Sequence, residues 1–243
     1  MTLATMYGLV SARLNEGANQ GGPTLYPTAE IVAAINEAYR FFCLLTLGLE
    51  ETTAWTVPAA TTFFHMLTVS DGLFADWIVP LRIATVTGAK VRPARVEDLT
   101  SLDTRWVASP GAPYRYAHLG ADLLALYQQP AGDSTVLNVT YARAPLALVE
   151  DADTPETPAE YSPKFVDYGI YRCRQMEGAD EFAKALPLLG SFLEGAAHYA
   201  AYVRSRNLGS RYDKVPFEIE AFDTSKLLKL RADLPPMRPR MQT

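Results

Sequence analysis

The chain has 243 residues, 49% of them apolar and 20% charged, proportions that exclude wholesale disorder and allow one large folded unit or two small ones. No stretch approaches the roughly 18 consecutive apolar residues a membrane-spanning helix needs. Residues Met1 to Leu14 lack the features of a secretory signal, so folding in a cytosol, with no membrane partner, is expected. A formal net charge of −5 argues against a general nucleic-acid coat, which needs a basic face.

The chain reads as helices, then strands, then helices, then a tail. From Thr2 to Leu14, apolar residues recur at Leu3, Met6, Leu9, Val10 and Leu14, a helical spacing. Asn15 to Pro27, with Gly17, Gly21, Gly22 and Pro23, is predicted to be a loop. A second helix is expected from Thr28, a candidate N-cap, to a stop at Gly48, burying Ile31, Ala34, Ile35, Ala38, Tyr39, Phe42 and Leu45.

From Glu51 the texture turns β-branched and aromatic. Strands are predicted at Thr52–Val57, Thr61–Val69, Trp77–Val86 and Val91–Pro93, with a turn at Ser70-Asp71-Gly72. Pro80 predicts a bulge or an edge position. Arg95–Ser101 reads as a turn or two of helix. Tyr114–His118 and Leu123–Gln128 read as a hairpin through Gly120-Ala121-Asp122, and Val136–Ala142 closes the series. Short strands joined by turns imply an antiparallel sheet or small sandwich.

Glu150, Asp151, Asp153, Glu156 and Glu160, interrupted by Pro155 and Pro158, read as a solvated linker. Ser162-Pro163 predicts a helix with serine as N-cap and proline at its first position, running to Gly178. A last helical segment spans Ala179 to Asn207, with Gly209 as its stop and Pro187 expected to kink or split it. Beyond Pro216, Phe217–Leu230 could be a short amphipathic helix. The end, Leu234 to Arg240, is proline-fixed and extended. Lys226, Lys229, Arg231, Arg238 and Arg240 against Asp233 alone make it a basic arm on an acidic protein.

Catalytic chemistry should appear as a cluster of residue types, and none is legible. His65, His118 and His198 lie in three distant segments, without the spacing of metal ligands. Cys43 and Cys173 are expected to be small buried side chains. Ser191 lies between Gly190 and Gly195, at the wrong spacing for a nucleophile elbow and inside a helix. Gly88-Ala89-Lys90 lacks the rest of a phosphate loop. Asp151 and Asp153 alternate as calcium ligands do, but no turn glycine follows. No catalytic residue, metal or cofactor is therefore expected. Trp55, Trp77, Trp106, Tyr114 and Tyr116 could form a carbohydrate-stacking platform. Filling a thin core or an interface is the preferred reading.

Several segments, in order, resemble the head–tail adaptors of tailed bacteriophages, small chains that dock beneath the portal ring. The opening is similar in its short helix, its Gly-rich loop, Tyr26-Pro27-Thr28-Ala29-Glu30-Ile31-Val32 and Ile35-Asn36-Glu37-Ala38-Tyr39-Arg40. The middle is similar in Asp76-Trp77-Ile78-Val79-Pro80-Leu81-Arg82-Ile83, Val91-Arg92-Pro93, Glu97-Asp98-Leu99 and the run from Trp106 through Gly111-Ala112-Pro113-Tyr114-Arg115-Tyr116. Tyr141-Ala142-Arg143-Ala144-Pro145-Leu146 and Tyr161 complete it, so the resemblance spans roughly residues 3 to 205.

The resemblance implies an α+β chain: a helical bundle from N- and C-terminal helices, an inserted antiparallel β domain and an extended C-terminal arm. The expected divisions are 1–48 and 161–215 for the bundle, 49–148 for the β domain, 149–160 for the acidic linker and 216–243 for the arm. It also implies a non-enzymatic virion protein at the head–tail junction, forming a ring of about twelve copies. The expected partners are the portal protein, tail or nozzle proteins and other copies of the chain. Double-stranded DNA would pass through the lumen without specific binding. Lys226, Lys229, Arg231, Arg238 and Arg240 are the candidate portal-binding residues, on an arm that would fold on contact. The alternatives are a tail or baseplate structural protein with a carbohydrate-binding β domain, and a polysaccharide hydrolase, which no sequence feature supports.

Overall fold

The computed structural model describes residues 1–14, 26–68, 73–132 and 135–207. Residues 15–25 of the predicted Gly-rich loop, the Ser70-Asp71-Gly72 turn, the stop at Gly209 and everything read into the basic arm lie outside them. The described residues form an α+β structure in which helices from both ends of the sequence pack together and the strands lie between them in the chain.

Four helices, α1 (Leu3–Arg13), α2 (Thr28–Thr46), α4 (Ser162–Glu177) and α5 (Ala179–Asn207), share one core. Each contributes the stripe its 3.6-residue period predicts: Leu3, Met6 and Val10 from α1, and Ile31, Ile35, Tyr39 and Phe42 from α2. Phe42 sits at the centre, its ring 5.5 Å from Tyr161, 5.3 Å from Phe165, 6.0 Å from Phe192 and 5.6 Å from Tyr199.

Three local expectations need correction. Thr28 is the first helical residue rather than the cap; the Pro27 carbonyl accepts from the Glu30 and Ile31 amides instead. Ser162 is not an N-cap either. A single 3-10 turn, Ala159–Tyr161, feeds directly into α4, and Ser162 already has helical angles and is buried. Pro187 does not split α5, which continues through it from Ala179 to Asn207. Contacts on both sides of it, Phe182 against Tyr171 and Phe192 against Phe41, Phe42 and Tyr168, hold the helix across the lost hydrogen bond.

At the end of α2, Leu47 takes the left-handed conformation (φ 50°) that glycine was expected to supply, and its amide donates to the Cys43 carbonyl at 2.8 Å. Gly48 serves a different need, because a methyl group built on it would run into the buried Tyr199 ring of α5. Gly48→Ala is therefore expected to destabilise the helical core by about 1–3 kcal/mol, the usual range for overpacking. The readout is a lower urea midpoint with an unchanged slope.

The described residues form nine strands between the helices: β1 (Glu50–Val57), β2 (Phe63–His65), β3 (Trp77–Thr85), β4 (Lys90–Pro93), β5 (Pro110–Gly111), β6 (Arg115–Leu119), β7 (Leu123–Tyr127), β8 (Gln129–Pro130) and β9 (Thr135–Arg143). Seven form a sheet in the order β1-β9-β3-β4-β6-β7-β2; β5 and β8 pair separately. The predicted hairpin is β6–β7, with His118 opposite Leu124. The sheet is mixed rather than antiparallel, for β4 runs parallel to β6; the separate pair β5 and β8 is parallel as well. A parallel pair needs a long crossover, and the connection from β4 to β6 supplies one, carrying helix α3 (Val96–Leu102) and a 3-10 turn at Trp106–Ala108.

The sheet curls until the inward rings of its two edge strands touch: Trp55 of β1 and Phe64 of β2 are 4.8 Å apart, edge to face. Leu124, Leu126, Leu137, Val139 and Tyr141 fill the same interior. On the outer face, α3 and Trp106 cover Ala117, Ala125 and Tyr127 through Leu99.

Pro80 marks the feature it predicted. β3 is bulged between Trp77 and Val79 and again between Pro80 and Arg82. Without bulges, residues 77, 79, 81 and 83 would share a face. With them, Trp77 and Ile83 point into the sheet's core while Val79 and Leu81 turn outward to meet Leu47 at the end of α2. β4 pairs with β3 only at Ile83 and Ala84, so Pro80 interrupts no ladder on that side.

Candidate interaction surface

The acidic stretch keeps Glu150, Asp151, Glu156 and Glu160 exposed to solvent, but it is tied to the helices rather than free. Residues 144–158 form a strap that leaves β9, crosses α2, turns over the start of α1 and returns. Leu148 is buried and doubly bonded to Asn36: the Asn36 amide donates to the Leu148 carbonyl at 2.9 Å, and the Leu148 amide donates to Asn36 Oδ1 at 2.7 Å. At the tip, the carbonyls of Asp153 and Asp151 accept from the amides of Leu3 and Ala4 at 2.8 and 3.1 Å, satisfying two orphan donors at the start of α1. On the return, Thr157 is buried and the Glu156 amide donates to Tyr39 Oη at 2.9 Å. Arg143 at its start pairs with Glu156 on its return, so the strap is a loop folded back and packed on the helices.

The Asp153 carboxylate accepts from the Val149 and Glu150 amides at 2.7 and 2.8 Å, and these bonds hold its pKa below the usual aspartate range. A depressed folded-state pKa means the contribution is present above the unfolded value and disappears as pH falls through the folded one. The strap is therefore expected to loosen below about pH 4. Asp153→Ala should produce the same loosening at neutral pH. Hydrogen exchange at Val149, Glu150, Leu3 and Ala4 reads both effects.

The groups that carry chemistry are scattered and occupied with holding the fold. His65 is exposed and lies 3.3 Å from Asp122. His198 is hydrogen-bonded to Tyr161 Oη at 2.9 Å. His118 lies beside Trp77, and burial lowers its pKa. Cys43 and Cys173 are free and buried as expected; burial pushes the Cys43 thiol up to about 12, leaving it protonated at neutral pH. Ser191 donates to Asp167 Oδ2 at 2.9 Å and accepts from Lys164 Nζ at 2.8 Å, while Arg13 pairs with Asp167 at 3.0 Å. Its hydroxyl is thus held between a carboxylate and an ammonium, in a seam joining α1, α4 and α5. Among the described residues, no group of histidines, cysteines and acids is arranged to hold a metal ion. Nor is any described helix long and apolar enough to cross a membrane.

The aromatic platform does not form. Trp55, Trp77, Trp106 and Tyr116 are buried, leaving Tyr114 exposed at 43%. What the surface does offer is dispersed apolar side chains on rigid supports. Leu146 and Val149 on the strap are each 74% exposed. Phe41 and Leu44 on α2, and Phe63, Val107 and Tyr114 on the sheet's outer side, are partly exposed. Phe63 leans edge to face on Trp106 at 5.7 Å. Sequence reasoning missed the strap's apolar pair, because it gave weight to the acids around them. The five basic arm residues, Lys226, Lys229, Arg231, Arg238 and Arg240, lie outside the described residues.

A chain whose polar groups knit helices, strap and sheet together, and whose apolar side chains face outward at several separate places, has the character of an assembly component. It belongs to the SU10 adaptor protein family, whose profile matches residues 1–215. Membership makes it an adaptor-type structural protein of a phage virion. No curated protein matches the chain.

Proposed function

We propose that this adaptor sits at the head–tail junction, where about twelve copies form a ring that joins the portal to the tail and lines the DNA channel. The family match carries the reading. Separate apolar patches on the helices, the strap and the sheet support it, because a ring needs two different faces that meet head to tail. In this reading the helical part (1–48 and 161–215), the β part (49–148) and the arm (216–243) act as distinct units, with the acidic linker (149–160) between the β part and the helices laid against the helical part. The chain performs no catalysis. Its excess of acids keeps the lumen from gripping a duplex that is itself a dense negative rod; a strongly basic lumen in an assembled ring would contradict this.

The arm supplies the portal contact through Lys226, Lys229, Arg231, Arg238 and Arg240. Replacing all five by serine should weaken binding to purified portal rings at low salt and flatten the salt dependence that remains. Unchanged affinity and salt dependence would remove the arm from the contact. For the role itself, particles assembled without the chain should be DNA-filled heads lacking tails. Fully tailed particles would refute it.

A further inference from the structure

The chain passes between the helices and the sheet twice, at residues 47–51 and 143–145, and both passages meet at one side chain. Arg143 is the last residue of β9, and its side chain is only 16% exposed. Its Nε lies 3.4 Å from Glu51 Oε2 at the start of β1, and its guanidinium is paired with the Glu156 carboxylate on the returning strap. Glu156 in turn donates its amide to Tyr39 Oη of α2 at 2.9 Å. One guanidinium thereby ties both sheet strands that enter the neck to the strap and, through it, to α2.

The rest of the neck is thin. The Arg143 amide donates to the Leu49 carbonyl at 3.0 Å, and the Ala144 amide donates to the Asp76 carbonyl at 2.7 Å. Tyr141 Oη donates to Asp76 Oδ1 at 3.0 Å. Among the described residues the apolar cluster of the neck is Val79, Leu81 and Ala142, with Leu47 and Ile78 against them, and Leu49 reaches back into the helical core, whereas the helices and the sheet interior each have a far larger core of their own. Two well-packed bodies joined by a small apolar contact, a few backbone hydrogen bonds and one shared cation are expected to move as bodies when the cation is lost.

We propose that Arg143 is a latch that fixes the angle between the helical core and the sheet, and that releasing it frees the sheet to re-tilt while both cores stay folded. The inference concerns the isolated chain and stands apart from the ring. An arginine suits the position because a planar guanidinium can bond two carboxylates at once.

The test uses spin labels on cysteines introduced by Glu194→Cys on α5 and Val86→Cys in the β3–β4 turn, both exposed positions. The native cysteines are buried and should stay unlabelled. Pulsed dipolar spectroscopy should give one narrow distance distribution for the parent and a broad or displaced one for Arg143→Met. Amide protection at Leu137 and Val139 of β9 and at Phe165 and Val166 of α4 should stay within about twofold, while exchange at Arg143, Ala144 and Glu156 rises at least tenfold. Arg143→Lys should fall between the two, and Glu51→Gln with Glu156→Gln should reproduce Arg143→Met. A distribution as narrow as the parent's in Arg143→Met would overturn the proposal. So would a parallel loss of protection in β9 and α4, in that variant or in the double carboxamide variant, since Arg143 would then be holding the whole fold.

Discussion

Phe42→Ala is expected to destabilise the helical core by about 3–5 kcal/mol, the range for truncating a fully buried aromatic side chain. Phe42 has no exposed surface and touches rings from the turn before α4, from α4 and from α5. The loss therefore combines transfer free energy, cavity formation and several aromatic contacts that the neighbours cannot remake by small shifts. α1 and α2 enter from one end of the sequence and α4 and α5 from the other, so the cavity falls where the two ends are joined. Thermal denaturation should show a midpoint lowered by on the order of 10 °C, with helical signal lost first. Phe42→Leu, which keeps much of the volume, should cost less than half as much. Equal effects of the two substitutions would mean the site tolerates a cavity.

Trp55→Ala should have a loss of similar size, about 3–5 kcal/mol, located in the sheet. Trp55 is fully buried, and its ring meets Phe64 at 4.8 Å and Phe74 at 6.0 Å. It stands on one edge strand and Phe64 on the other, so truncation removes the contact that holds the sheet in its curl. Its indole Nε1 is buried with no hydrogen-bond partner among the described residues. Trp55→Phe therefore loses no hydrogen bond and should cost well under half as much. Amide exchange should rise in β1 and β2 in the alanine variant, with α4 unaffected. Uniform loss of protection across helices and sheet would show instead that the two cores unfold as one.

Much of the fold is legible because single-element periodicity is local. The stripe from Ile31 to Phe42, the strands ending at Val57 and Ala142, and the hairpin at Gly120 follow from spacing and turn residues alone. The parallel pairing of β4 with β6 is not legible from strand texture, which resembles that of an antiparallel strand. The signal lay in the helical residues Val96–Leu102 between them, a crossover rather than a decoration. The packing of the strap is not legible because acids and prolines look alike whether free or tied down. Its order depends on Asn36, far away in sequence, and on Asp153 folding back on two amides. Gly48 shows a third limit. A glycine after a helix suggests a backbone need, yet here the need is room for Tyr199, which only the packing of α5 reveals. Of the interaction surface, the basic arm was legible by charge, while the exposed pair Leu146 and Val149 emerges only once Leu148 is seen to be buried between them.

The claim that this adaptor forms a ring at the head–tail junction is tested most directly by counting it. Quantitative mass spectrometry of purified particles gives its copy number relative to the portal protein. A ratio near one is the predicted result, as stacked rings of matching symmetry require. A ratio many times above one would contradict the account and place the chain elsewhere in the virion, and absence from the particle would contradict it outright.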